Sequence, residues 1–298
     1  MFDSLKPLKI ISRKAKKLGV PVLFTGDWDH TPKFIANKTN YYSLKTYKEN
    51  FEKFNVDLYA ISGNHDFCER NHKEHRSISH LDPYDLLFNT FNKVDWDTIE
   101  TENFIVSGIP YLDYNLGFVE QVTKVGKYSP VINKPHILLI HTDLPGAINA
   151  FKHKIDSADN IPKNWAQLFE PFDLVLSGHI HKKQWLAKNV LMTGAPDHQD
   201  RGDTGEDMGY WVIYSDRKPQ FKKIDLPQFI YVESEEEIKD DGNYYTVLDT
   251  PNSDPDDEEP TLKATTSRKK LVKRYLKMRG EDDKQRRQLL IELLESED

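Results

Sequence analysis

Val56-Asp57-Leu58-Tyr59-Ala60-Ile61-Ser62 runs directly into Gly63-Asn64-His65-Asp66. The apolar run has the length and composition of a buried strand. Gly63 allows a sharp turn at its carboxyl end. An amide oxygen, an imidazole and a carboxylate then follow in a row. Asn64 can offer its carbonyl oxygen to a metal ion. His65 can reach a phosphate that such a metal holds, and Asp66 can orient His65 or a neighbouring loop. In open α/β sheets, ligand sites gather outside the carboxyl ends of strands, so the placement suits chemistry. An Asx turn that merely closes a strand has the same local appearance.

The pattern recurs on both sides of this stretch. Val22–Thr25 runs into Gly26-Asp27-Trp28-Asp29-His30, Ile137–Ile140 into His141, and Leu174–Ser177 into Gly178-His179-Ile180-His181. Four strand-like runs that each end in metal-type ligands are not explained by turn chemistry alone. Asp27 carries two oxygens and a full charge, which lets one carboxylate bridge two divalent ions. His179 and His181 are alternate residues; in an extended segment such residues point the same way, and the two imidazoles would project together.

Taken in order, GD-x-x-H, GNHD, H and GHIH resemble the motifs of the calcineurin-like metallophosphoesterases, over roughly residues 1–215. The resemblance implies an α/β (α+β) fold, a two-layered β-sandwich flanked by helices, with two divalent metal ions at the strand ends. Manganese (Mn2+) is the expected ion, although oxygen and imidazole ligands also suit iron or zinc. The family pattern assigns Asp27 the bridging role. It gives Asn64, His141 and His179 to one ion and His181 to the other. It makes His65 the catalytic group, acting on the leaving oxygen rather than on metal. His30 and Asp66 are candidate substrate contacts. One part of the pattern is missing: no Asp-x-His precedes Gly26. The chain is therefore expected to start inside the family's first helix, without a central strand and two ligands. Its second metal site would hold only Asp27 and His181, and hydrolysis would be slow.

The later turns narrow the resemblance. Gly194-Ala195-Pro196, the polar Asp200-Arg201-Gly202-Asp203 and the strand-like Gly209–Tyr214, together with GDWDH and GNHD, look like the SbcD-type DNA repair nucleases. That likeness implies a metal-dependent DNA phosphodiesterase working with an SbcC-like coiled-coil ATPase in recombination or repair, and it admits a homodimer. A phosphomonoesterase or small-nucleotide phosphodiesterase on the same fold stays open. So does a catalytically impaired scaffold subunit that binds DNA or the ATPase.

The 298 residues can bury a full core and still leave a small second domain. A formal net charge of −7 argues against indiscriminate nucleic-acid binding by the whole surface, but not against a local basic patch. Cys68 is the only cysteine, so no intrachain disulfide forms, and a reducing cytosol, bacterial or phage-infected, is the expected compartment. No apolar run approaches a membrane span. The periodicity predicts a helix over Leu5–Leu18, ended by Gly19, and an amphipathic helix from Asn37 to Phe54 burying Tyr41, Leu44, Tyr47, Phe51 and Phe54. A third helix is expected from Pro83 to Phe91. The loop 67–80 holds His72, His75 and His80, and 147–170 holds Lys152, His153 and Lys154, plausible phosphate contacts or a solvated face. The domain plan is a metallophosphoesterase domain (1–216), a small capping domain (217–250), an acidic, proline-containing linker (251–266) and a helical tail (267–298). The tail's apolar stripe, around Leu271, Tyr275, Leu290 and Leu294, is expected to dock on the ATPase.

Overall fold

The computed structural model describes residues 5–28, 37–69, 78–112, 117–127, 134–149, 153–156, 161–199, 201–216 and 218–247. Strands and helices are numbered in chain order. Three parallel strands, β1 (Val22–Phe24), β2 (Leu58–Ala60) and β5 (Phe91–Lys93), form one sheet in the order β1-β2-β5. Six strands form the other: β6 (Thr98–Glu100), β7 (Ile105–Ile109), β8 (His136–His141), β9 (Leu174–Gly178), β10 (Gln184–Ala187) and β11 (Val190–Met192). Their order is β10-β11-β9-β8-β7-β6, with β7, β8, β9 and β11 parallel. A short β3 (Phe67–Glu69) and β4 (Ile78–Ser79) pair beside them.

Alternation along the strands sorts the side chains into layers. Tyr59 and Ile61 of the first sheet meet Val106, Ile137, Leu139, Leu174, Leu176 and Leu191 of the second in one apolar cluster between the sheets. The opposite residues of the first sheet, Leu58 and Ala60, pack under α1 (Lys6–Leu18), α2 (Asn37–Asn50) and α3 (Asp82–Leu87) through Ala15, Tyr47 and Tyr84. Those of the second, Leu138, Ile140 and Val175, pack under α4 (Phe118–Gly126) and α5 (Trp165–Leu168) through Phe118, Val122 and Trp165. This is a mixed α/β sandwich with helices outside. Strands buried on both faces explain why these segments read as unbroken apolar runs.

Helix α1 ends as expected, with Gly19 left-handed at φ 65° and its N–H on the last turn's carbonyls. Helix α2 differs from expectation. It stops at Asn50, Phe51 and Phe54 lie in the turn beyond, and Tyr41 is 60% exposed. Polar residues occupy the inward face instead: Ser43 accepts hydrogen bonds from Trp28 Nε1 (3.1 Å) and Tyr84 Oη (2.7 Å). The third helix is shorter than expected, because Phe91 leaves it to open β5. β1 is an edge strand among the described residues, and its three side chains are only half-buried.

The chain divides into two compact units, Met1–Leu226 and Pro227–Asp298. The boundary lies beyond the expected residue 216. β13 (Gln220–Lys223) pairs antiparallel with β12 (Gly209–Val212), so it completes the first unit rather than opening a capping domain. Within the second unit, β14 (Phe229–Val232) and β15 (Tyr244–Val247) pair in parallel, joined through a turn that Ser234 and Glu237 close with a capping box. The expected linker and tail, 251–298, lie outside the described residues. Among the described residues no helix is long and apolar enough to cross a membrane.

Candidate metal centre

Both sheets send strand ends to one place. Asp27 and Asn64 follow β1 and β2; His141 ends β8 and His179 follows β9. His141 Nε2 lies 3.0 Å from Asn64 Oδ1 and 3.2 Å from Asp27 Oδ2. His179 Nδ1 lies 2.9 Å from Asn64 Oδ1 and 3.3 Å from His141 Nε2. Asp27, His141 and His179 stand out as a group whose ligand atoms lie within 4.8 Å of one another. Ligand bonds of about 2.0–2.2 Å place neighbouring donors of an octahedral ion roughly 3 Å apart. The spacing therefore suits a divalent cation.

The chemistry of the donors agrees. His141 Nδ1 lies 2.6 Å from the Thr25 carbonyl. A carbonyl only accepts, so Nδ1 carries the proton and Nε2 of the neutral ring offers a lone pair. That lone pair faces an amide oxygen and a carboxylate oxygen, an arrangement that calls for a cation between them. Burial lowers the His141 pKa, but Asp27 and the Thr25 carbonyl outweigh it, and the net shift is upward. Burial raises Asp27, yet His141 and the His65 N–H pull it down to about 2. Burial, and then the neighbouring His141, lower His179.

The backbone is bent to bring these groups in. Asp27 and His179 are both left-handed, at φ 63° and 80°, conformations that cost non-glycine residues energy and persist only where surroundings impose them. Asp66 imposes the first. Its carboxylate accepts N–H bonds from Asp27 (2.7 Å), Trp28 (2.8 Å) and Gly63 (2.7 Å), tying the two loops together. Asp66 is fully buried, so it acts on these loops rather than at a substrate-facing surface. Burial and the Asp27 charge push its carboxyl up to about 7, against the pull of the N–H donors. Gly63 and Gly178 are required by close approach: a Cβ on the first would fall on Asp27 Oδ1, and on the second on the Thr25 carbonyl.

Of the other expected site residues, His65 donates its backbone N–H to Asp27 Oδ1 (2.9 Å), which sets it beside the cluster. His181 does not join the four-atom group; its Nδ1 faces Asp203 at 3.0 Å. His30, His72, His75 and Lys152 lie outside the described residues. Tyr111 rests its ring against both His141 and His179.

Three carboxylates that support the site escape sequence reading. Asp95 accepts from Ser62 N (2.8 Å) and Ser62 Oγ (2.7 Å), anchoring the residue before Gly63. Asp143 Oδ1 stands 3.6 Å from His179 Nε2. Asp203 holds His181. Asp95 was findable: it follows β5 and so obeys the same strand-end rule. Asp143, two residues past β8, obeys it too; Asp203 gives no such signal.

The sequence profile of the calcineurin-like phosphoesterase family matches residues 6–183, more than half of the chain. The chain belongs to the calcineurin-like phosphoesterases. It is accordingly a metal-dependent phosphoester hydrolase, and Asp27, Asn64, His141 and His179 are the residues suited to hold an ion. Among solved structures, this phosphoesterase is similar to the calcineurin-like phosphoesterase YfkN from Bacillus subtilis, at 15% identity over 65% of this chain and 73% of that one, with a TM-score of 0.38. Another solved chain matches at 9% identity over 64% and 76%, with a TM-score of 0.37. No curated protein matches the phosphoesterase by sequence.

Proposed function

We propose that this phosphoesterase cleaves phosphodiester bonds in DNA, as an SbcD-type nuclease, with manganese at the centre built by Asp27, Asn64, His141 and His179. The convergence of those four donors carries the hydrolytic reading. The motif order, with GDWDH and GNHD, supports DNA as substrate. So does α1, whose thirteen residues hold Lys6, Lys9, Arg13, Lys14, Lys16 and Lys17 and no acid, in a chain of net charge −7. A basic face on an acidic protein suits a polyanion.

A bound divalent ion polarises phosphoryl oxygens and makes water acidic enough to attack. The Thr25 carbonyl keeps the proton of His141 on Nδ1. Asp66 and Asp95 hold the two loops against reorganisation. His65 supplies a proton or hydrogen bond to the departing oxygen. His65→Ala is expected to lower turnover by about 10²–10⁴-fold with metal content intact. The deciding comparison is manganese-dependent cleavage of linear duplex DNA against p-nitrophenyl phosphate. Cleavage of the monoester alone overturns the DNA reading. Duplex binding without cleavage of either supports the scaffold reading.

Residues 267–298 are the proposed docking segment for an SbcC-like ATPase. Deleting 263–298 should abolish capture of that ATPase in a pull-down, and retained capture would rule the segment out.

A further inference from the structure

We infer that Asp203 is the positioning residue for His181, fixing its ring with the proton on Nδ1 and the lone pair on Nε2, so that Nε2 is the working atom. The inference rests on the proposed reading only in giving His181 a task at the phosphoester.

The contact is built rather than incidental. His181 Nδ1 lies 3.0 Å from Asp203 Oδ1 and 3.2 Å from Oδ2, a forked geometry that spans the whole carboxylate. Asp203 is 1% exposed, and its Oδ2 also accepts the backbone N–H of Gln199 at 2.7 Å. The turn that carries it is closed on itself. Thr204 bonds the Arg201 carbonyl through N–H and Oγ1, at 3.2 and 2.7 Å, and Glu206 N–H bonds the Asp203 carbonyl at 3.0 Å. An ionised carboxylate only accepts, so the nitrogen it faces must be the donor.

Another imidazole follows the same plan. His141 gives Nδ1 to the Thr25 carbonyl and turns Nε2 to the cluster. His179 turns Nδ1 to the cluster with Nε2 towards Asp143. For His141, as for His181, a fixed oxygen acceptor on Nδ1 sets the tautomer, the arrangement by which second partners orient ligating histidines. Asp203 plays for His181 the part that the Thr25 carbonyl plays for His141. Sequence neighbours give no hint of it, because 21 residues separate the pair.

The test reads the tautomer directly. Long-range proton–nitrogen NMR of the full chain, with His181 assigned by its loss in His181→Gln, should show Nδ1–H and a lone pair on Nε2. A resonance pattern of Nε2–H in the wild type overturns the inference without any variant at Asp203. In Asp203→Asn the amide can donate to Nδ1 instead. The proton should move to Nε2, and kcat on bis(p-nitrophenyl) phosphate should fall about 10–100-fold, with calorimetric manganese binding at the four-residue cluster unchanged. Asp203→Asn with wild-type kcat and tautomer, and only a lower Tm, would make Asp203 a structural staple and sink the proposal. If DNA proves not to be the substrate, the tautomer and the diester assay still decide the matter.

Discussion

At the scale of single residues, the centre depends on lone pairs held at about 3 Å with no proton to spare. His179 is the ligand whose removal tests this most cleanly, since its Nδ1 touches two of the other donors. Calorimetric titration of manganese should show His179→Ala binding at least tenfold more weakly than wild type; equal affinity and stoichiometry would remove it from the ligand set. Asp27, Asn64, His141 and His179 were legible beforehand because strand ends concentrate ligands and the strands were plain. Asp203 was not: it acts on a histidine far off in sequence, and only the assembled fold brings the two together. Asp66 was legible as a residue that can order a neighbouring loop, although nothing local tells that the loop is the one near residue 27.

At the scale of elements, strands were read better than helices. Buried parallel strands announce themselves as continuous apolar runs. Helix α2 buries hydroxyls on its inward face, and that hides its orientation from an apolar count; Tyr41 was misplaced for this reason. The first residue of β8, His136, yields a pH prediction. It is buried, with Nε2 2.7 Å from Ser107 Oγ and its ring against Phe172. Its Nδ1 has no hydrogen-bond partner among the described residues. Burial lowers its pKa, with Asp173 opposing. A histidine whose folded pKa is depressed leaves stability whole above its unfolded pKa of about 6.5 and removes it as pH falls from there to the folded value. Thermal melts at pH 7.5, 6.5, 5.5 and 5.0 should therefore show a smaller acid loss in His136→Gln than in wild type. Parallel curves for the two proteins would mean that His136 titrates alike in the folded and unfolded states.

At the scale of the whole molecule, the division after Leu226 makes a claim that truncation can check. A chain ending at Leu226 keeps β13 and should bind manganese as the full chain does. A chain ending at Asp216 loses β13, with the Phe221 ring that packs on Trp211 and the buried Ile224. Burying one such side chain is worth about 1.5–3 kcal/mol, so its Tm should fall by roughly 5 °C or more. Equal melting temperatures would return the boundary to residue 216. The overall plan of sandwich and flanking helices was legible in the sequence. The order of the strands has a last consequence. The three-stranded sheet is complete by Lys93, and the six-stranded sheet is drawn entirely from residues 98–192. Each sheet brings two of the four donors. As the chain leaves a ribosome, the first half can pair its strands early, yet the four donors cannot meet until residue 179 has emerged. The centre is thus a site that only the closed pair of sheets can form.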